Sequence, residues 1–320
     1  MSQSDRSLFP DDPRHRSEMI PEPIDEQNFL ASPPIVFSPR VYYWSLFLFL
    51  ATCVSTFYMG MFMADVGHLG RPLQWGDLVS SGFAYSLSVM GILLFHELGH
   101  YLQARRYGVP ATPPFFIPMP LISPFGTMGA VILQSAGQAN RKVLFDIAIT
   151  GPLAGLVLAI PICWFGALQS QVGPVPQNLP PGSVYGDPLL MQWMFDAIHG
   201  PRPAGQEILL NPLLFAGWVG IFITALNLLP LGQLDGGHIL YALIGKRAHI
   251  VATMLLCGAV AYMFWADYWV FSPLLILITL MGIHHPPSSD DSVPLGWPRV
   301  ILGWLTLAFL VIGMSPKPIQ

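Results

Sequence analysis

The sequence predicts an all-α polytopic membrane protein, with six to seven transmembrane helices and one short β segment embedded at membrane depth. Three observations lead there. Of 320 residues, 53% are apolar and only 10% are Asp, Glu, Lys or Arg, where a soluble domain carries about 25% charged residues. The mean hydropathy is +0.54. Long apolar runs recur between residues 41 and 314, and a spanning helix needs about 20 such residues.

In chain order, residues 1–40 are polar and contain several prolines, with Arg6, Arg14, Arg16 and Arg40 against seven acidic residues. The expectation is a disordered cytoplasmic tail without a secretory signal, too acidic for an organellar transit peptide. Candidate spans follow at 41–63, 82–104, 144–167, 212–230, 248–266, 268–284 and 299–314. They make one transmembrane unit over 41–314, with its core at about 82–285 and a short tail at 315–320. Cys53, Cys163 and Cys257 each sit inside an apolar run, far apart, and read as small helix residues rather than as a disulfide or thiolate site. The net charge of −4 comes without a basic patch, which excludes nucleic acid as an expected partner.

Arg105, Arg106, Arg141, Lys142, Lys246 and Arg247 fall at one set of span ends. The positive-inside rule places those ends, and the N-terminus, in the cytoplasm. The loops 64–81 and 168–211 carry one Arg each, Arg71 and Arg202. Residues 107–143 are too apolar for a solvated loop and too rich in Pro for a helix. Their stretch from Phe125 to Ser135 contains Ala130-Val131-Ile132-Leu133, a candidate strand. Non-helical backbone is tolerated at membrane depth only where it is buried in protein or lines a wet cavity. Residues 168–211 contain Pro174, Pro176, Pro180 and Pro181, then an apolar patch at Leu189–Ile198 that fits a short interfacial helix.

The residues that carry chemistry begin with His96-Glu97-Leu98-Gly99-His100. Positions i and i+4 share a helix face, so two imidazoles can reach one ion with a glutamate beside them. Zinc lowers the pKa of a water it binds to about 7, and the glutamate is placed to take the proton. Ile92, Leu93, Leu94 and Phe95 lead directly into the motif. Three ionisable groups therefore sit in or at the edge of a span, where such groups are costly and functional by default. Two histidines leave a catalytic zinc one protein ligand short. Asn227 to His238 reads NLLPLGQLDGGH: Pro230 breaks a helix, and Gly232, Gly236 and Gly237 permit irregular backbone. On spacing alone, Asp235 is either the third ligand or a solvated residue in a membrane-exit turn, with His238 as its competitor.

HELGH on one span and NLLPLGQLDGG on a later one resemble the site-2 protease family of intramembrane metalloproteases. The resemblance covers about residues 85 to 285. It includes the FGTMGA segment, similar to the family's membrane-embedded strand region, and Thr150-Gly151-Pro152-Leu153-Ala154-Gly155, like its glycine-rich packing motif. The layout resembles the compact branch lacking PDZ and CBS domains, found in bacteria with plastid relatives. The resemblance implies one zinc per chain held by His96, His100 and Asp235, catalysis by Glu97, and a substrate-binding or oxyanion role for Asn227. It also implies a membrane-anchored protein substrate cut within the lipid bilayer, with a bacterial inner membrane as the expected location.

Gly126, Thr127 and Gly129 are candidate substrate-binding positions, since an extended edge there can pair with an unwound substrate. A plain re-entrant turn accounts equally well for the two glycines. Gly151 and Gly155 read as a helix-packing pair. Asp146 reads as a surface ion pair with Arg141 and Lys142, and His284 and His285 as part of an exposed loop rather than of a metal-binding cluster with Asp290 and Asp291. A metal transporter and a non-catalytic scaffold are the competing functions. Neither requires a general base at position 97.

Overall fold

The computed structural model describes residues 38–67, 72–134, 139–174, 185–201, 203, 205–315 and 317–318. Residues 1–37 of the expected tail, Arg71, Arg202, Ser135, Pro176, Pro180, Pro181 and half of the final tail lie outside the described residues. In chain order the elements are α1 (Pro39–Gly67), α2 (Trp75–Arg106), β1 (Phe115–Pro118), β2 (Thr127–Val131), α3 (Arg141–Gln169), β3 (Val172–Pro174), α4 (Leu189–His199), β4 (Gln206–Ile208), α5 (Pro212–Asn227), α6 (Asp235–Ile244), α7 (Arg247–Ala266), α8 (Ser272–Met281) and α9 (Trp297–Gly313).

The described residues are mostly helical, and among them four helices are long and apolar enough to cross a membrane: α1, α2, α3 and α7. The three other expected spans come out shorter. Helix α5 has 16 residues and α9 has 17, about 24–26 Å of rise against a hydrocarbon core of about 30 Å. Helix α8 has only 10 residues, because the chain turns at Trp269–Phe271 and at Gly282. The expected span at 212–230 stops at Asn227, where the Leu228–Pro230 stretch leaves the helix. Sequence reading missed α6 altogether, since its DGG start looks like a turn. The interfacial patch forms α4 as expected, with Met191, Met194 and Phe195 buried. The β3–β4 pairing beneath it was not foreseen.

Helices α2, α3 and α5 pack on one another. Their shared core holds Tyr85, Val89 and Ile92 from α2, Ala159 and Cys163 from α3, and Phe215, Trp218 and Phe222 from α5. Pro152 and Pro161 lie inside α3, which a helix surrounded by other helices accommodates. The antiparallel hairpin of β1 and β2 pairs Phe115 with Val131 and Phe116 with Ala130. Helix α1 holds it in place: Ser45 Oγ donates to the Pro114 carbonyl at 2.6 Å and Ser55 Oγ to the Gly126 carbonyl at 2.5 Å. The ring of Phe49 meets that of Phe116 edge-on at 5.1 Å.

One end of the bundle is stitched by charge. Arg299 Nε and Nη2 donate to the two carboxylate oxygens of Asp146 at 2.7 and 2.9 Å. Tyr107 O–H donates to the same carboxylate at 2.6 Å. Burial first, then that hydrogen bond, pushes the Tyr107 phenol up to about 12, so it stays a donor. The expected pairing of Asp146 with Arg141 is therefore corrected. Positions 141 and 146 are five residues apart, about 140° round the helix. Arg141 turns instead to the carboxyl end of α6, donating to the Ala242 and Leu243 carbonyls at 2.6 and 3.0 Å. His285 is corrected too: it is buried, at 7% exposure, while His284 is exposed as expected.

Arg299→Ala leaves a largely buried carboxylate with only Tyr107 for a partner. It is expected to cost about 2 kcal/mol, discounted from the fully buried case because the guanidinium is partly solvated. Arg299→Lys keeps the charge but loses the two-pronged contact and falls between. Unfolding of the detergent-solubilised protein with a denaturing detergent measures both.

Candidate metal centre

His96 and His100 lie one turn apart on α2, with ring centroids 5.0 Å apart and planes at 68°. Asp235 is the first residue of α6. Its Oδ2 lies 3.1 Å from His96 Nε2 and its Oδ1 lies 3.2 Å from His100 Nε2. The two imidazole Nε2 atoms are 3.3 Å apart. His96, Glu97 and His100 are all buried, between 3% and 5% exposed. Glu97 follows His96 directly on α2 and is buried beside it in the chain. Among the described residues this is the one group of three metal-binding side chains whose ligand atoms converge, all within 4.8 Å of one another.

The donor set fits a zinc-type ion. Bonds of about 2.0–2.2 Å in a tetrahedron put ligand atoms about 3.3–3.6 Å apart, close to the separations seen here. The orientation of His100 is fixed from behind, since its Nδ1 meets the Ile147 carbonyl at 2.8 Å. A carbonyl only accepts, so Nδ1 carries the proton and Nε2 keeps its lone pair for a metal. His238, the competitor for the third position, turns elsewhere: its Nδ1 is 2.5 Å from His285 Nε2.

Two close approaches create the space. A Cβ on Gly151 would sit 2.0 Å from His100 Nε2, and one on Gly155 would sit 3.2 Å from His96 Nδ1. The glycine pair read as helix packing thus also makes the recess into which the two imidazoles fit. On the other side, a Cβ on Gly236 would strike the Leu228 carbonyl oxygen at 2.0 Å. The start of α6 can fold back against the end of α5 only with glycine there. The break between α5 and α6 is what brings Asp235 to the histidines.

Asn227 ends α5, with its Nδ2 3.3 Å from His96 Nε2, so it joins the cluster. Among the described residues, no hydrogen bond links Gly126, Thr127 or Gly129 to this cluster. The Thr127 hydroxyl donates within the hairpin, to the Ile117 carbonyl at 3.0 Å, and accepts from Gly129 N at 3.0 Å. Gly126 has φ +74° and packs on Ser55 and Met59 of α1, whereas Gly129 has φ +93° with open space beside it. Sequence reading missed the Ile147 carbonyl, which leaves no residue-type signal, and the contact of His285 with His238.

A sequence profile described as Peptidase family M50 matches residues 84–264. The chain belongs to peptidase family M50. This is the site-2 protease family that the two motifs resemble. Curated relatives include "Probable zinc metalloprotease EGY1, chloroplastic" of Oryza sativa subsp. japonica. It is 33% identical over 226 residues, 65% of this chain and 38% of the relative. The Arabidopsis thaliana protein of the same name is 28% identical over 74% of this chain and 43% of its own length. "Probable zinc metalloprotease EGY2, chloroplastic" of Arabidopsis thaliana is 30% identical over 76% and 43%. The chain spans about two fifths of the length of these relatives. No solved structure gives a significant match. The bacterial inner membrane expected from the sequence finds no support in relatives named chloroplastic.

Gly151→Ala is expected to expel the His100 ring from its recess, because the new methyl group and Nε2 cannot share the space. Metal content after purification, measured by elemental analysis, should fall at least tenfold while circular dichroism still reports the helices.

Proposed function

We propose that this chain is an intramembrane zinc metalloprotease that hydrolyses peptide bonds in or near the transmembrane segments of membrane-anchored proteins. One observation carries the reading: two imidazoles, a carboxylate and a second carboxylic side chain meet inside an apolar bundle, with the first three at metal-ligand separations. Burying such groups is costly unless they serve each other or an ion. The relatives named zinc metalloproteases support the same reading.

His96, His100 and Asp235 hold the ion, one per chain. Zinc supplies Lewis acidity, polarising a carbonyl and making water acidic near neutral pH. Glu97 accepts a proton from the attacking water and returns it to the departing amide nitrogen. The Asn227 amide is placed to donate to the oxyanion that develops on the carbonyl carbon's oxygen. The surrounding apolar helices limit the water that reaches the site, which strengthens each of these interactions.

A helical peptide keeps its backbone groups paired, so a substrate must unwind before hydrolysis. The β1–β2 hairpin offers an extended edge to receive it, with Gly126, Thr127 and Gly129 shaping that edge. Thr127 acts by holding the hairpin turn rather than by touching substrate. In this reading the hairpin lies at membrane depth, and α5, α8 and α9 raise the four long crossings to six or seven. The basic ends at Arg105, Arg141 and Lys246 face the cytoplasm or its organellar equivalent.

Glu97→Gln separates this reading from a metal transporter or a scaffold. Protein purified in detergent should hold about one zinc in wild type and variant alike. Cleavage of a transmembrane test substrate should fall by about 10²–10⁴ in the variant and vanish in wild type on chelation. Zinc in both with cleavage in neither would count against proteolysis.

A further inference from the structure

The M50 match ends at residue 264, yet the segment that follows α8 lies across the start of α6 and is tied to it repeatedly. Gly232 N–H donates to the Ile283 carbonyl at 2.9 Å, and Gln233 Nε2 donates to the Met281 carbonyl at 3.2 Å. His238, in the first turn of α6, meets His285 Nε2 through its Nδ1 at 2.5 Å. The strap is anchored in turn. The Tyr241 ring stacks on His285 at 4.4 Å and its hydroxyl donates to Asp291 at 2.8 Å. His249 Nε2 donates to the His285 carbonyl at 3.1 Å. At the other end, Ser289 N–H donates to the Ala139 carbonyl and Arg141 N–H to that of Asp290, both at 3.0 Å. The strap therefore joins the helix that carries Asp235 to the helix whose Ile147 carbonyl orients His100.

Chemistry fixes the direction of the central bond. His285 Nδ1 bonds the Pro286 carbonyl, which only accepts. His285 Nδ1 is therefore protonated. His285 is buried, and burial lowers the pKa of its imidazole, which favours the neutral ring with Nε2 as the acceptor. His238 Nδ1–H must donate. The His285 ring is held from two sides, by the Pro286 carbonyl and by the Tyr241 ring.

We propose that His285 and His238 are positioning residues for Asp235: the strap imidazole fixes the His238 ring, and with it the first turn of α6, so that the carboxylate three residues earlier stays aimed at His96 and His100. The inference rests on the reading of those three residues as metal ligands.

The test uses the full chain in detergent, stripped of metal. Zinc affinity is measured by competition with a chromogenic chelator, and ligand geometry by the visible absorption of the cobalt(II) form. The variants are His285→Ala, His285→Gln, His238→Ala and His238→Asn. Gln places an acceptor oxygen near the lost Nε2, and Asn a donor near the lost Nδ1. The Ala variants should lose about 10–100-fold in zinc affinity, as removal of partners behind a metal ligand does, and their cobalt bands should shift. The Gln and Asn variants should recover most of the affinity and the wild-type bands, a rescue that general loosening of the fold would not give. Ala variants that bind zinc as tightly as wild type would overturn the inference, as would Gln and Asn variants as weak as Ala. A wild-type chain that took up neither ion would overturn the reading of the site, and this inference with it.

Discussion

A carboxylate and two imidazoles placed in an apolar bundle must satisfy one another, and much of this molecule is arranged so that they can. The contact of Asp235 with His96 and His100 joins residues 139 and 135 positions apart in the chain. Long-range pairing of that kind needs each partner delivered by a rigid element. Helix α2 delivers the histidines. Helix α3 leaves the recess at Gly151 and supplies the Ile147 carbonyl behind His100. The interrupted α5–α6 connection delivers the aspartate. Remove any of these and the remaining polar groups are buried without partners, which costs more than the interaction itself is worth.

Much of this was legible in the sequence because the signals are local. HELGH sets two side chains on one face by helical period alone, and the apolar run leading into it marks the depth. The α1, α2, α3 and α7 runs are long enough to announce themselves. What was not legible depends on where a chain segment returns. The choice between Asp235 and His238 could not be made from spacing, since both lie in the same turn; in the fold the close approach at Gly236 brings Asp235 to the histidines, while His238 meets His285. Helix α6 was hidden because its first three residues, Asp-Gly-Gly, have turn chemistry, while its start is held by tertiary contacts. Asp146 was assigned to its sequence neighbours, yet helical geometry sends Arg141 to another face and brings Arg299, 153 residues away, to the carboxylate.

The hairpin shows a further division of labour. Its own hydrogen bonds are few, and an isolated two-stranded hairpin is marginal in water. Here the hydroxyls of Ser45 and Ser55, with the Phe49 ring, fix it to α1. Tyr85 O–H reaches it from α2, donating to the Phe125 carbonyl at 2.9 Å. Irregular backbone beside an apolar bundle is stabilised by side-chain donors from the helices around it. Helix α1 lies outside the M50 match but takes a direct part in shaping the surface next to the core.

The position of His100 along α2 sets a length scale. Six residues separate it from Arg106, the last residue of the helix and part of its basic end, a rise of about 9 Å. A helical segment lying parallel to α2, with its own end level with Arg106, would present its sixth or seventh residue to the metal ligands. Under the proposed function, scission at that level would divide a membrane anchor of about 20 residues unequally. The fragment on the basic side would keep about six apolar residues, too few to stay in a bilayer, and would leave for water. The larger remnant would stay behind, still long enough to be held by lipid. Under the proposed function, the depth of two histidines on one helix would decide which half of a cut anchor goes free.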